Sequence, residues 1–282
     1  MGPDKIIVAV APVSHVGKVL PEETKNPLTA TQVAEESIRA WNAGASLVHL
    51  HVRDETGEQV SDLSVFEKTI DLIREKSDII LQGSTGGVST LSLEERCVCL
   101  NEPRVEMASL NMGSVNFGES VYINTIPDIT YWAERMRGSR IVPELEVFNP
   151  SMIESSYELA AEGVLEEPLH FNFALGFHSS LQADPRHIAY LSSMLTGDAV
   201  WGFLHEGMRD FTVLTAALGL GAGVLRVGYE DGPFYGNGIP ARSNAELVEQ
   251  LVALIRLAGK EIATPKEARA ILGLVDSRNG NT

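Results

Sequence analysis

The sequence predicts a (β/α)8 TIM barrel. Eight short apolar runs recur along 282 residues, each is followed by a stretch of helical period, and brief glycine-rich or polar loops separate them. A doubly wound open sheet is the alternative, since periodicity does not by itself close a sheet. The length suits one large core. No linker, low-complexity tract or short repeat interrupts it, so residues 1–282 read as one barrel domain with a helical extension at about 243–275.

Ile6 to Ala11 is an apolar strand stopped by Pro12. After the loop Val13 to Leu28, a helix opens near Thr29 and ends at Gly44. Leu47 to Asp54 forms the second strand, and Ser64 with Glu67 in capping-box spacing predicts the start of a helix whose Phe66, Ile70 and Ile73 share a face. The third strand, Asp78 to Gln82, runs into Gly83-Ser84-Thr85-Gly86-Gly87; the next helix is placed over Thr90 to Leu100, with Ser92 and Glu95 as its capping box. Arg104 to Leu110 and Arg140 to Phe148 are the fourth and fifth strands, with a helix over Asp128 to Arg137 between them. Asn149-Pro150-Ser151 begins a helix reaching Gly163. Strands at Leu169 to Leu175, Asp198 to Leu204 and Gly223 to Tyr229 then alternate with helices at Pro185 to Leu195 and Met208 to Leu218. Helices over Asn244 to Leu257 and Pro265 to Leu272 follow, and the polar tail after Asp276 reads as frayed.

The 38 acidic and 22 basic residues give a formal charge of -16, which argues against a nucleic-acid footprint or attraction to an anionic membrane. Cys97 and Cys99, two apart on the expected helix, point in different directions and read as packing residues, so a reducing cytoplasm is expected. No cleavable signal pattern or membrane-length apolar run is present, so the expectation is a soluble cytoplasmic protein.

In a barrel the C-terminal strand ends form the active-site mouth. His49 and His51 share a strand face about 6–7 Å apart at Cα, close enough to hold one metal ion, but a zinc site needs a third protein ligand. Arg226, Gly228 and Glu230 share strand parity, which aims Glu230 at the mouth and completes a His2Glu set; Glu144 is the substitute ligand. Arg226 within Val224-Leu225-Arg226-Val227 needs a carboxylate partner, either Asp231 or Glu146. That pair either closes the barrel structurally or orients Asp231 as a base. The loop Ser84-Thr85-Gly86-Gly87 offers backbone donors and a hydroxyl for a carboxylate, or is simply a tight turn. Asn111, Ser114, Glu144, Glu146, Ser14 and His15 join Ser84, Gly86 and Gly87 as candidate substrate-binding residues around the mouth.

Gly44 to Asp54, Gln82 to Gly87, Met107 to Phe117, Pro143 to Phe148 and Arg226 to Asp231, in that order over nearly the whole chain, resemble the β-keto acid cleavage enzymes. The resemblance implies a homo-oligomeric TIM barrel, a homodimer or homotetramer, holding a divalent metal, commonly zinc, on His49, His51 and Glu230. It implies that Ser84 helps hold a β-keto acid and that Arg226 and Asp231 form the catalytic pair. The implied reaction condenses the keto acid with acetyl-CoA and yields acetoacetate and a new acyl-CoA. One departure stands out. The family's archetype uses a first-loop glutamate to recognise the ammonium group of 3-keto-5-aminohexanoate, whereas this chain has Val13-Ser14-His15-Val16. A different β-keto acid is therefore expected, neutral or anionic at its far end, with His15 touching that group. A CoA-independent metal-dependent aldolase and a noncatalytic metabolite-binding barrel are the alternatives.

Overall fold

The computed structural model describes residues 2–87 and 90–274. Eight parallel strands form the barrel: β1 Lys5–Val10, β2 Leu47–Leu50, β3 Ile80–Ser84, β4 Met107–Asn111, β5 Val142–Val147, β6 His170–Leu175, β7 Val200–His205 and β8 Val224–Val227. They pair in chain order, and β8 returns to β1 with Ile7 opposite Val224 and Val10 opposite Val227, so the sheet closes and the open-sheet alternative falls. The helices are α1 Ala30–Ala43, α2 Ser64–Arg74, α3 Leu93–Arg96, α4 Ile126–Ser139, α5 Pro150–Ala161, α6 Pro185–Ser193, α7 Thr212–Gly219, α8 Asn244–Leu257 and α9 Pro265–Ile271.

Strand alternation sorts the interior into layers. Ile7, Leu47, Ile80, Met107 and Val224 pack together at the floor, which Ala268 and Leu272 of the α9 segment plug from below. A larger apolar cluster fills the space between strands and helices. One step further along the strands the inward positions turn polar: Gln82, Ser109, Glu144 and Asn172 are all buried. At the mouth the inward set is His49, Ser84, Asn111, Glu146 and Arg226. The apolar floor thus supplies rigidity and leaves the upper barrel free to carry polar groups.

Two expectations are corrected. Ser64 does not cap α2: it is the first helical residue, the cap position is Leu63 without a side-chain bond, and the Asp62 carboxylate accepts from Ser64 N at 2.7 Å in its place. The helix expected over Thr90 to Leu100 shortens to Leu93–Arg96 and continues as a 3-10 turn, Val98–Asn101. The tighter turn buries both Cys97 and Cys99, and Cys99 lies hard against Gly83 of β3. The Ser92–Glu95 capping box and the bounds of α8 are as the sequence predicts. Short antiparallel hairpins, 115–117 with 120–122 and 234–236 with 239–240, decorate the loops after β4 and β8. Glu261–Ile262 adds a strand beside Lys5–Ile6. The tail after Asp276 lies outside the described residues. No helix among the described residues is long and apolar enough to cross a membrane.

Candidate active site and metal centre

The alternation that puts Leu47 in the floor puts His49 and then His51 at the mouth. Their Nε2 atoms lie 3.4 Å apart. The Glu230 carboxylate stands 3.3 Å from His51 Nε2 and 3.9 Å from His49 Nε2. Burial pushes His49 down to about 4, so its imidazole is neutral near pH 7. Its Nδ1–H donates to Gln82 Oε1 at 2.7 Å, which leaves the Nε2 lone pair facing His51 and Glu230. Burial opposes charge on Glu230, but His51, Arg226 and His49 outweigh it and hold the carboxyl well below its usual range. Three donor atoms within 4.8 Å of one another fit a divalent cation. The edge of a tetrahedron with zinc–ligand bonds of about 2.0–2.2 Å is about 3.3–3.6 Å, close to the separations here.

Glu230 and Asp231 lie past the end of β8, in a turn built on Gly228. Its φ is +144° and a side chain there would begin 2.1 Å from the Ala11 carbonyl oxygen, so only glycine lets the turn dock on β1. The docked backbone is held from both sides. Tyr229 N donates to Asn244 Oδ1 at 3.0 Å, while Asn244 donates to the Pro12 carbonyl and to Glu36. From the first loop, Lys18 Nζ donates to the Glu230 carbonyl at 2.6 Å and pairs with Glu206 at 2.7 Å.

Arg226 binds Asp231 through two parallel bonds, Nε to Oδ2 at 2.9 Å and Nη2 to Oδ1 at 2.5 Å. Nη2 also reaches Glu230 Oε1 at 3.2 Å, and Nη1 lies 3.9 Å from Glu146. Burial opposes the guanidinium charge, but Asp231 and Glu230 more than offset it and keep its pKa raised. Burial pushes the Glu146 carboxyl up to about 8, against the pull of Arg226, so it stays protonated near pH 7.

These groups open into one cavity of about 740 Å³. Ser84, Gly86, Gly87 and Asn111 form one side of it. Both amide atoms of Asn111 are buried without a partner, Ser84 Oγ accepts from Gly86 N, and a side chain at Gly86 would begin 3.1 Å from Asn111 Nδ2. Small residues thus leave room beside unsatisfied polar atoms, which suits a carboxylate. Phe117, Phe148 and Phe177 form an apolar wall, with ring centroids 4.6–5.8 Å apart.

His15 and Glu146 also line the cavity. Three candidates do not. Ser14 is buried, its backbone tied to the Asn26 amide. Ser114 accepts from Asn124 N beside a separate surface hollow. Glu144 lies one inward position deeper than Glu146, bound by Asn172 Nδ2 at 3.0 Å, and is not part of the His49–His51–Glu230 cluster. Residues to which the sequence reading gave no role also face the cavity or its ligands: Gln82 beneath His49, Arg53, Glu206 and the aromatic wall. Of these Arg53 carries a signal, since it continues the parity of His49 and His51.

The family described as beta-keto acid cleavage enzyme matches residues 5–274. The 3-keto-5-aminohexanoate cleavage enzyme of Acetoanaerobium sticklandii is 36% identical over 277 residues, covering 96% of this chain and 99% of that one. The 3-oxoadipate:acetyl-CoA acetyltransferase of Cupriavidus necator is 36% identical, covering 90% of this chain and 91% of that one. Among solved structures, apo ObcA superposes with a TM-score of 0.73 at 20% identity, covering 88% of this chain and 65% of ObcA, a likeness of fold.

Proposed function

Because the chain belongs to the beta-keto acid cleavage enzyme family, we propose that it condenses a β-keto acid with acetyl-CoA and releases acetoacetate and a new acyl-CoA. The observation that supports this most is the meeting, in one cavity, of a His49–His51–Glu230 cluster with an Asp231 carboxylate oriented by Arg226. Relatives whose names specify acetyl-CoA support the choice of co-substrate.

In this reading Ser84, Asn111 and the Gly86–Gly87 backbone hold the substrate carboxylate, and Asp231 removes a proton from the carbon between carboxylate and ketone. His49, His51 and Glu230 would hold a divalent ion, read as zinc, which when bound would supply Lewis-acid stabilisation of developing negative charge. The resulting carbanion attacks the acetyl thioester carbonyl and expels the CoA thiolate, the thiolate adds to the former ketone carbon, and that carbon's bond to the acetoacetate unit breaks, leaving a carbanion that takes back the proton held by Asp231. Atoms balance: R–CO–CH2–COO⁻ and CH3–CO–SCoA become CH3–CO–CH2–COO⁻ and R–CO–SCoA. Arg226 keeps Asp231 aimed throughout, and orientation of both substrates in one mouth supplies much of the rate. A cytoplasmic homodimer or homotetramer completes the reading.

The test is acetyl-CoA-dependent turnover of the zinc-loaded protein with a panel of β-keto acids, detecting both products by mass spectrometry. Acetoacetate and new acyl-CoA should appear in equal amounts. Cleavage without added thioester would instead assign a CoA-independent lyase, and tight binding without turnover across the panel a metabolite-binding barrel.

A further inference from the structure

We propose that the Tyr122 hydroxyl donates a hydrogen bond to the carboxylate of the β-keto acid, which makes Tyr122, on the hairpin after β4, a substrate-binding residue. The inference rests on the reaction proposed above and adds to its carboxylate pocket a donor from outside the stretches that carry the family resemblance.

As a ring, Tyr122 is part of the packing. It pairs with Val115 across the hairpin, and its ring centroid lies 5.3 Å from that of Phe117 and 6.4 Å from that of Phe148. A phenylalanine would fill that slot as well, so the packing does not call for the hydroxyl. The residue is only 3% exposed and lines the cavity, and a buried O–H needs an acceptor. As an acceptor itself the oxygen is satisfied: Gly87 N donates to it at 3.0 Å, and Arg96 Nη2 stands 3.5 Å away. Its own proton meets no acceptor among the described residues.

That proton lies where the pocket is already short of partners. On the face of Gly86 that carries no side chain, Tyr122 Oη, Asn111 Nδ2 and Ser84 Oγ all lie within 3.4 Å of the one point where a Cβ would sit. Asn111 is 1% exposed, and both of its amide atoms are unpartnered. Ser84 repeats the arrangement of Tyr122: its Oγ accepts from Gly86 N at 3.1 Å, with Ser109 Oγ 3.5 Å off. Two successive loop amides thus end on hydroxyls, and each hydroxyl has a proton of its own to hand on. One donor from β3 and one from the hairpin, with Asn111 beside them, suit the two oxygens of a single carboxylate.

Arg96 strengthens the new donor. Its guanidinium stands 5.3 Å from the centre of the Tyr122 ring and 4.2 Å from that of Trp132, held there by bonds to the Ile123 carbonyl at 2.9 Å and Asn124 Oδ1 at 2.7 Å. A hydroxyl that accepts from an amide and a cation donates better in turn. Burial raises the phenol's pKa, so near pH 7 the group is a protonated donor and not a phenolate that would repel the substrate.

Acetoacetate is the probe, because every β-keto acid of the reaction shares its carboxylate end. With it the proposed reaction becomes an exchange in which CH3–CO–CH2–COO⁻ and isotopically labelled CH3–CO–SCoA swap acetyl groups. Calorimetry measures binding of acetoacetate and of neutral acetoacetamide to zinc-loaded wild type, Tyr122→Phe and chains carrying mono- or difluorotyrosine at position 122; label transfer follows turnover. Tyr122→Phe should weaken acetoacetate binding by about 10- to 100-fold, the value of a hydrogen bond to a charged group, and acetoacetamide binding less, with the KM for acetyl-CoA unchanged. Fluorine makes the phenol a stronger donor and a weaker acceptor, so acetoacetate binding should tighten in the order of phenol acidity. Equal loss on acid and amide in Tyr122→Phe overturns the proposal, since the hydroxyl then only shapes the glycine loop. So does binding that weakens on fluorination, which leaves the hydroxyl as an acceptor for Gly87 alone, or binding untouched by every change at position 122. The fluorinated chains retain the hydroxyl, so the answer does not depend on how Tyr122→Phe folds. Label transfer decides the reaction separately: binding that depends on the hydroxyl without transfer discards the acetyl exchange and keeps the subsite. If wild type binds no acetoacetate, both fall.

Discussion

Gln82→Leu should weaken metal binding without weakening the fold. His49 is 2% exposed, and burial keeps it neutral, so one ring N–H must find an acceptor inside the barrel. Gln82 Oε1, at 2.7 Å from Nδ1, is that acceptor. Leucine has similar volume but accepts nothing. The ring then either keeps its proton on Nδ1, unpaired, at a cost of about 1–3 kcal/mol, or moves it to Nε2 and loses the lone pair that faces His51 and Glu230. Both routes penalise the same state, and removal of such an outer hydrogen bond typically costs about 10- to 100-fold in metal affinity, about 1.4–2.8 kcal/mol. Global stability should change little, because Gln82 Nε2 is already buried without a partner and its removal relieves a buried donor. Zinc affinity measured by competition with a chromogenic chelator, with thermal unfolding of the metal-free protein alongside, separates the two effects. Gln82→Glu restores an acceptor and should recover affinity. A Gln82→Leu affinity within about threefold of wild type would refute the reasoning, since a bond worth less than 0.7 kcal/mol by that measure, roughly, is not orienting the ring.

Asp231→Asn keeps the shape of the side chain but places an amide where the proton acceptor stood. Turnover should fall by about 10²–10⁴-fold with zinc content retained, and activity within tenfold of wild type, roughly, would remove Asp231 as the base. Arg226→Met should lower unfolding free energy by about 3–5 kcal/mol in denaturant titration, because it strands the buried Asp231 carboxylate; an unchanged midpoint would show that the pair contributes nothing to the fold. Glu146→Gln tests the raised carboxyl. The folded protein keeps that proton up to about 8, while the unfolded chain releases it near 4.5, so between those values the folded state binds more protons and wild type loses stability as pH rises. The variant should therefore gain on wild type between about pH 5 and 8. Parallel stability curves across that window would count against a protonated Glu146.

The barrel was legible because its strands are short, apolar and regularly spaced, and the His49–His51 pair because a two-residue period puts both side chains on one face. Glu230 was reached by parity even though β8 stops at Val227 and the aiming is done by the turn at Gly228, whose close approach to Ala11 no local pattern reveals. Ser14, Ser114 and Glu144 were polar residues near strand ends that depth and side-chain direction remove from the cavity. Gln82 and Lys18 are ordinary in sequence: their roles lie in a bond across to the neighbouring strand and in a link spanning 212 residues to the carbonyl of Glu230.

Two adjacent carboxylates, Glu230 and Asp231, would ordinarily compete for the same surroundings. Here both meet Arg226 Nη2 but in different ways: Glu230 gives a single 3.2 Å contact and turns its carboxylate to the histidines, whereas Asp231 takes the two-pronged contact through Nε and Nη2. A carboxylate offers about four lone-pair positions, so two bonds from Arg226 orient Asp231 and leave an accepting direction free on each oxygen. Because Asp231 lines the cavity, the free directions are available to a substrate proton. Lys18 and Asn244 then matter less as charges than as clamps, since each grips the main chain within this turn and fixes which carboxylate faces which way. Division of labour between neighbouring residues of like chemistry is therefore a property of the backbone turn, imposed by Gly228 and enforced by groups brought from β1, the first loop and α8.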